Sequence, residues 1–448
     1  MKTETRFLGE GGCLMLIDKI NVLFQKLLYL ILLLLQVNFF NLVGDETFYD
    51  FNSDNSKIII LFLVTVSVII WLPVALGTLF KKAGWGKPPF SWLIIGFLIC
   101  WIAVLFGSSN AYQITLKKAF NIGYYYPIVI YFFPFTWLVK KDFHFVLRWL
   151  KIFACLDLFF LLLQDLVVSV SERLFLNFDP FGQQMFLSSG RIVAGTDFLL
   201  FACFVIVLAR KLKHTFPTYL EVMFLAGLVF HLLFFAKSRM FLLLTIAIII
   251  VAIFFNSSKT FTTSVRLVFY SIFSISFIAL MNALIAKMNF FSGDRAASGQ
   301  VRIQAITYYL SNLGFNNWFG FGFTPYSDQI GGGGRGVDGG VFYTSDVGMI
   351  GFIAIFGVLG ILFILLFLFS FIKFIRTFGD FSSKMIVLIY VFGQWISLSQ
   401  FDISRIFIFP LTLGFVIGFR DFITLENLLK IVFRLVSLGS FQALFSGW

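Results

Sequence analysis

FLLLTIAIIIVAIFF, residues 241–255, contains one polar side chain, Thr245, and shows no alternation of polar with apolar positions. A membrane β-barrel strand would run about ten residues with every second one polar, so this stretch cannot line a barrel wall. Apolar on every side, it reads as a helix with no water-facing stripe. With its flanks, 239–255, it is long enough to approach the roughly 30 Å of a hydrocarbon core. LLYLILLLLQ at 27–36 reads the same way, and such runs recur along all 448 residues. The whole chain is 59% hydrophobic and 12% charged with a mean hydropathy of +0.95, whereas a soluble domain carries about a quarter charged residues. The fold class is therefore an all-α polytopic integral membrane protein.

Apolar runs between polar breaks give about 12 transmembrane helices: 20–43, 58–80, 90–106, 123–139, 143–163, 191–209, 217–236, 239–255, 266–287, 341–368, 384–399 and 403–420. Lys and Arg resist transfer across a membrane, and their distribution orients the spans. With the N-terminus inside (Lys2, Arg6, Lys19), the inner loops are KKAGWGK, KKDFHFVLRWLK, RKLKH, NSSKTFTTSVR and IKFIRTFGDFSSK, all basic. The outer loops include the acidic GDETFYDFNSDNSK and QDLVVSVSERLFLNFDP. Both termini then lie inside. The net charge of +12 is mostly this retention signal together with attraction to anionic lipid, and no nucleic-acid motif accompanies it. The first apolar segment lacks a small-residue cleavage site and reads as a start-anchor helix. Cys13, Cys100, Cys155 and Cys203 form no CxxC pair, which speaks against a metal or disulfide framework.

One segment breaks the regularity. Residues 288–340 form a long extracytoplasmic loop in a chain whose other loops are short, and a loop of that length usually carries function. It contains SGDRAASGQVRIQAITYYLSNLGFNNWFGFGFTPY, 292–326, which reads as a polar start, an amphipathic helix over 299–312 and a Gly-aromatic turn. It ends in GGGGRGVDGG, 331–340, which matches neither a GxxxxGK[ST] nor a GxGxxG phosphate loop and reads as a hinge for a lid. Residues 421–448 space their apolar positions as an interfacial helix does.

The cations that defy the charge rule by lying outside need explaining: Arg173, Arg191, Lys237, Arg239, Arg295, Arg302, Arg335 and Arg405. An arginine at membrane depth costs about 2.5–3.5 kcal/mol on insertion scales, so each is a candidate functional group. Each could also snorkel to the interface or pair with Asp197 and other acids. As a set they suit a phosphorylated lipid head group, because a guanidinium fork matches phosphate oxygens bidentately. Arg191, Arg239 and Arg302 are the leading candidates, with Arg295, Arg335 and Arg405 as further substrate contacts. Arg302 and Ala305 share a helix face with Ile306 and Tyr309, and Tyr309 and Trp318 could stack on sugar faces or sit in an interfacial aromatic belt. Among outer carboxylates Asp346, in YTSDVGMIG at the entry to the tenth span, is the first choice of general base, and it or Ser345 could equally cap that helix. Asp402 is a second outer carboxylate and a substrate contact. Asp294, Asp328 and Asp338 lack the spacing of a cation site, so neither a metal nor a cofactor is expected.

The order KSRMFLLL (237–244), a long outer loop with WFGFG (318–322) and SDVGMIGFIAIFGVLG (345–360) opening the next helix resembles the O-antigen polymerase family (Wzy-type), within the wider group of O-antigen ligases and polymerases. The likeness spans about 187–420 in layout and is motif-like only at 237–243 and 292–360. It implies a GT-C-like glycosyltransferase architecture in a bacterial inner membrane with an extracytoplasmic site. It also implies an undecaprenyl-pyrophosphate-linked glycan as substrate, with a separate chain-length regulator (polysaccharide co-polymerase) and a flippase as partners. The ligase branch usually carries a histidine in or after the long loop. Here His144 and His214 fall in inner loops and His231 within the seventh span, which favours a polymerase. A ligase or another lipid-linked glycan transferase is the alternative, and a flippase or other transporter the second. Transporters tend to show two similar halves, and this chain is lopsided.

Overall fold

The structure is a computed structural model that describes residues 4–37, 56–80, 88–171, 173–254, 296–312, 318–323 and 344–422, with short gaps within 173–254 and at 379, 398–399 and 403–404. In chain order the helices are α1 Glu4–Leu34, α2 Ser56–Phe80, α3 Ser91–Ala111, α4 Leu116–Gly123, a 3-10 turn Tyr126–Tyr131, α5 Phe132–Lys141, α6 Phe143–Ser171, α7 Thr196–Leu212, α8 Tyr219–Phe234 and α9 Arg239–Phe254. They continue with α10 Ala296–Asn312, a second 3-10 turn Thr344–Val347, α11 Met349–Arg376, α12 Phe381–Ser397 and α13 at 408–422. Among the described residues there is no strand.

Four helices are long and apolar enough to cross a membrane, within α2, α3, α6 and α11. Counting α4 and the Tyr126–Lys141 helix as one bent span makes five. The chain is thus helical and membrane-embedded. Helices α7, α8, α9, α12 and α13, inside other expected spans, are shorter, and the ninth expected span, 266–287, lies outside the described residues, as does most of the interfacial helix expected at 421–448.

Boundaries differ from the expected ones for local reasons. The tenth span was expected from 341, but α11 starts at Met349 because Gly348, at φ 56° and ψ −127°, stands outside helical geometry. It then runs through Lys373 and Arg376, read from sequence as loop. Cations in a last turn complement the negative end of the helix dipole while their stems cover apolar surface. Helix α6 continues to Ser171 instead of stopping at 163. Its last turns are stabilised by buried partners for Gln164 and Asp165, described below.

α7 is the central element. From Phe198 to Ala209 every residue is buried, as a run apolar on all faces requires. It packs on α6, α8, α9 and α12. Aromatic rings fill the spaces between helices. Phe204 stacks on Tyr390 at 4.1 Å between centroids. Phe97 touches Tyr126, Phe352, Phe356, Phe363 and Phe401 at 5.2–6.2 Å. Offset and edge-on pairs of this kind each add about 0.5–1.5 kcal/mol beyond the area they bury.

Ion pairs sort by end. At one end Lys141 pairs with Asp18, Lys140 with Asp421, and Lys151 and Arg210 both with Glu221, joining segments read as inner loops and helix ends. Lys26 pairs with Asp142 there as well. At the other end Arg405 pairs with Asp197 and Asp402, and His231 with Asp165. Among the described residues no ion pair joins an expected inner loop to an expected outer one.

Partial burial raises the Asp142 carboxyl, but hydrogen bonds from Lys26 Nζ and the Phe145 N–H, together with the Lys26 and His144 charges, outweigh it and hold Asp142 below its usual range. A depressed folded pKa contributes stability above the unfolded value, and that stability disappears as pH falls through the folded one. Thermal unfolding in detergent should therefore show Asp142→Asn less stable than wild type near neutrality, with the gap closing well below about pH 4. A gap that persists at acid pH would mean that the carboxylate charge contributes nothing.

Candidate functional site

Two interrupted helices meet at the end of the bundle opposite the lysine pairs. The first bends by 60° where α4 gives way to the Tyr126–Tyr131 turn. Gly123 ends α4, and Pro127, at the start of the 3-10 turn, has no N–H to continue an α ladder. The second is α11, broken at Gly357, whose φ of 59° and ψ of −138° are accessible almost only to glycine.

Such a break frees backbone groups where water is scarce, and each must find a partner. Segment 318–323 supplies them. The N–H groups of Phe321 and Gly322 donate to the carbonyls of Ala354 and Ile355 at 2.8 and 3.0 Å, and the Leu359 N–H points to the Trp318 carbonyl at 3.5 Å. On its other side, Tyr112 Oη donates to the Phe321 carbonyl at 2.7 Å and the Phe323 N–H donates to Ser108 Oγ at 2.8 Å. The FGFG spacing is explained here. Gly320 and Gly322 both take positive φ, and a Cβ on Gly320 would strike the Ala354 carbonyl.

Between the interrupted helices lies a small open cleft of about 20 Å³ lined by Tyr125, Tyr126, Thr344, Gly351, Phe352, Ile355, Phe401 and Asp402. That is room for about one water and far below the ~300 Å³ of ordinary ligand pockets. Its wall is largely aromatic, with one carboxylate. Asp402 is held in a tight turn in which the Arg405 and Ile406 N–H groups donate to its carbonyl at 3.0 and 2.9 Å. Arg405 Nε donates to Asp197 at 2.7 Å and its second nitrogen to Asp402 at 3.2 Å. One guanidinium between two carboxylates leaves this corner with a formal charge of −1 if both are ionised.

The sequence-derived residues fare differently. Arg405, expected to hold phosphate, is instead bound by two acids, so the cleft beside it is acidic. Arg191 and Arg239 do share a locus. Arg191 Nε donates to the Ala236 carbonyl at 3.1 Å, and the Ile192 N–H donates to that of Phe235 at 3.2 Å. The same turn leads through Lys237, at φ 48°, into Arg239 at the start of α9. Tyr309 is buried against Phe321, with centroids 5.9 Å apart, and cannot stack on a sugar in this arrangement. The stripe of α10 packs from Ala305 to Tyr309, against Val347 and Ala354, and Arg302, about one turn before Ala305, stands exposed. Trp318 is exposed, and its backbone closes the α11 break.

Asp346 lies in the Thr344–Val347 turn, whose Thr344 reaches the cleft. The N-cap of α11 is Gly348, and the side chain of Ser345 lies outside the described residues. Arg295, Arg335, the glycine run 331–340 and the side chain of Asp346 lie outside the described residues. Among the described residues no three His, Cys, Asp or Glu side chains converge on a possible metal position.

Three features escaped the sequence reading. Tyr125 and Tyr126 enter the cleft through a helix bend that hydropathy smooths over. Asp197, the link between α7 and Arg405, was visible only as a possible arginine partner. His231 Nδ1 meets Asp165 at 2.7 Å in a fully enclosed pair between α8 and α6. The sequence placed Asp165 in an outer segment and His231 within the seventh span, and gave no signal that joined them.

No protein-family profile, curated protein or solved structure matches the chain. Function therefore has to be argued from the site.

Substituting Gly320 by Ala adds a Cβ at a positive φ and against a carbonyl, whereas nothing stands within 4 Å of a Cβ on Gly96. Gly320→Ala should lose roughly 1–3 kcal/mol of stability, and Gly96→Ala, an exchange favourable within a helix, should lose none. Equal unfolding temperatures for the two variants in detergent would show that the docking of 318–323 on α11 is not tight.

Proposed function

We propose that the chain is a membrane-embedded polymerase that joins oligosaccharide repeat units carried on undecaprenyl pyrophosphate into a surface polysaccharide. The observation that carries this reading is the pairing of an aromatic, carboxylate-bearing cleft with a cationic turn at one end of an apolar helix bundle. Aromatic faces and a carboxylate are what a sugar ring with its hydroxyl groups requires. Guanidinium groups at membrane depth are what a lipid pyrophosphate requires.

In this scheme the donor's pyrophosphate is held by Arg191 and Arg239, with Arg302 approaching from α10 and Arg295 and Arg335 from the loop. The hydroxyl of the acceptor's terminal sugar attacks the donor's anomeric carbon. A new C–O bond forms, the C–O bond to pyrophosphate breaks, and the electron pair leaves on the phosphate oxygen. The departing pyrophosphate is a weak base, so charge stabilisation serves it better than protonation. The hydroxyl proton passes to a carboxylate, Asp346 or Asp402, both on segments bordering the cleft. Asp402 is already partnered by Arg405, which suits it to orienting the sugar and leaves Asp346 the first choice of base. No cofactor takes part.

The reading carries with it the twelve-span, GT-C-like arrangement, a bacterial inner membrane with both termini inside and the site outside, and cooperation with a chain-length regulator and a flippase. A ligase-type transfer would use the same site. The interrupted helices also fit a transporter, which often binds substrate at such breaks. Cells lacking a polymerase would still display single repeat units, whereas loss of a flippase would leave bare surfaces and trapped precursor.

Purified protein in detergent should lengthen a lipid-linked repeat unit without ATP or added metal, and its failure to do so would defeat the enzyme reading. Arg191→Ala, Arg239→Ala and Arg302→Ala should each abolish elongation at unchanged expression. Long polymer surviving in two of the three would exclude the arginine clamp.

A further inference from the structure

Asp165 and His231 are 2% and 0% exposed and bond to each other through one atom apiece. The remaining polar atoms, Asp165 Oδ1 and His231 Nε2, are enclosed and have no hydrogen-bond partner. Leaving such groups unsatisfied opposes folding, and an apolar pair would fill the space at less cost. The pair therefore calls for an explanation other than stability.

Its connections provide one. The His231 carbonyl accepts the N–H groups of Phe235 and Ala236, at 3.0 and 2.9 Å, and so shapes the end of α8. The carbonyls of those same two residues hold Ile192 and Arg191. The turn then passes through Lys237 in a left-handed conformation, an arrangement strained for a lysine, with its Nζ lying over Gly190. On the Asp165 side, the adjacent Gln164 accepts the Leu176 N–H at 2.6 Å and donates to the Arg173 carbonyl at 3.4 Å. One short polar layer thus fixes α6 against α8 directly beneath the turn that gathers Arg191, Lys237 and Arg239.

We propose that Asp165 and His231 are positioning residues: the Nδ1–Oδ2 contact locks the end of α8 so that the cationic turn keeps the shape that binds a lipid pyrophosphate. The ligand class rests on the function proposed above, whereas the locking of the turn does not. The device works through geometry and consumes no proton.

The two amide replacements of histidine separate the possibilities, since an asparagine nitrogen falls near Nδ1 and a glutamine nitrogen near Nε2. The full chain, with native cysteines replaced by alanine and Ser238→Cys added, is purified in detergent and labelled with a water-soluble maleimide. His231→Gln and His231→Ala should label about five times faster than the parent, reflecting local opening of the turn, and His231→Asn should label at the parent rate. In elongation assays the first two should raise KM for the lipid-pyrophosphate donor about tenfold with kcat within about twofold, and His231→Asn should restore it. Unchanged labelling in His231→Gln, or labelling of His231→Asn as fast as that of His231→Gln, overturns the proposal. A fall in kcat at constant KM also overturns it. If His231→Ala does not fold, Asp165→Asn, which keeps an acceptor oxygen, must label slowly, and fast labelling there is equally fatal. Should the parent elongate no lipid-linked donor, the polymerase reading falls while the labelling result still decides whether the pair locks the turn.

Discussion

Backbone polar groups at membrane depth need a protein partner, and the rest of the site is arranged around one place where the helix withdraws it. Gly357 opens α11, and Trp318–Phe323 closes the opening with its own backbone. Unsatisfied, each freed group would cost several kcal/mol in hydrocarbon. Two glycines let the segment approach so closely, and the Ser108 and Tyr112 hydroxyls hold its far side. Because the same segment packs Phe323 onto Tyr126 and Phe356, the bend after α4 and the break in α11 are tied to one inserted strip of chain. The cleft between them is a consequence of that tie.

Electrostatics builds the second half of the site. A run of backbone from Gly190 to Asp197 touches both parts: Arg191 bonds to the α8–α9 turn, and Asp197, in the first turn of α7, bonds to Arg405 beside the cleft. Asp197 sits where the α7 dipole favours a negative charge, and Arg405 is drawn to it and to Asp402 together. The acidic cleft and the cationic turn are therefore mechanically connected through eight residues of one strand of chain. A donor anion and an acceptor sugar bound at the two places would be held by a common element, as a reaction between them requires.

Much of this layout was legible in the sequence, and what was not has definite causes. Apolar runs such as 241–255 mark helices because nothing but a helix or closed barrel satisfies backbone in lipid. Periodicity and hydropathy are blind to interruptions. YYYPIVIYFF and MIGFIAIFGVLG read as uninterrupted apolar segments, yet each contains or follows a bend set by Pro127, Gly348 or Gly357. Residues 164–165 read as the start of a loop because two polar residues end an apolar run, and their partners, His231 and the backbone at 173 and 176, lie on other elements. Tyr309 and Arg405 were correctly singled out as unusual, but the sequence could not show that Phe321 and two aspartates already occupy them.

The reassignment of Arg405 changes how the site distributes charge. A cleft with only arginines would bind any phosphate and hold it after the reaction, since the product pyrophosphate is the more highly charged species. Here Arg405 lies between Asp197 and Asp402 beside the cleft, and Arg191, Lys237 and Arg239 lie together at the end of α8 and the start of α9. Under the proposed function, that separation would orient a substrate that is anionic at its lipid end and neutral at its sugar end. It would also disfavour a pyrophosphate drifting into the cleft, because like charges there repel in a medium of low dielectric constant.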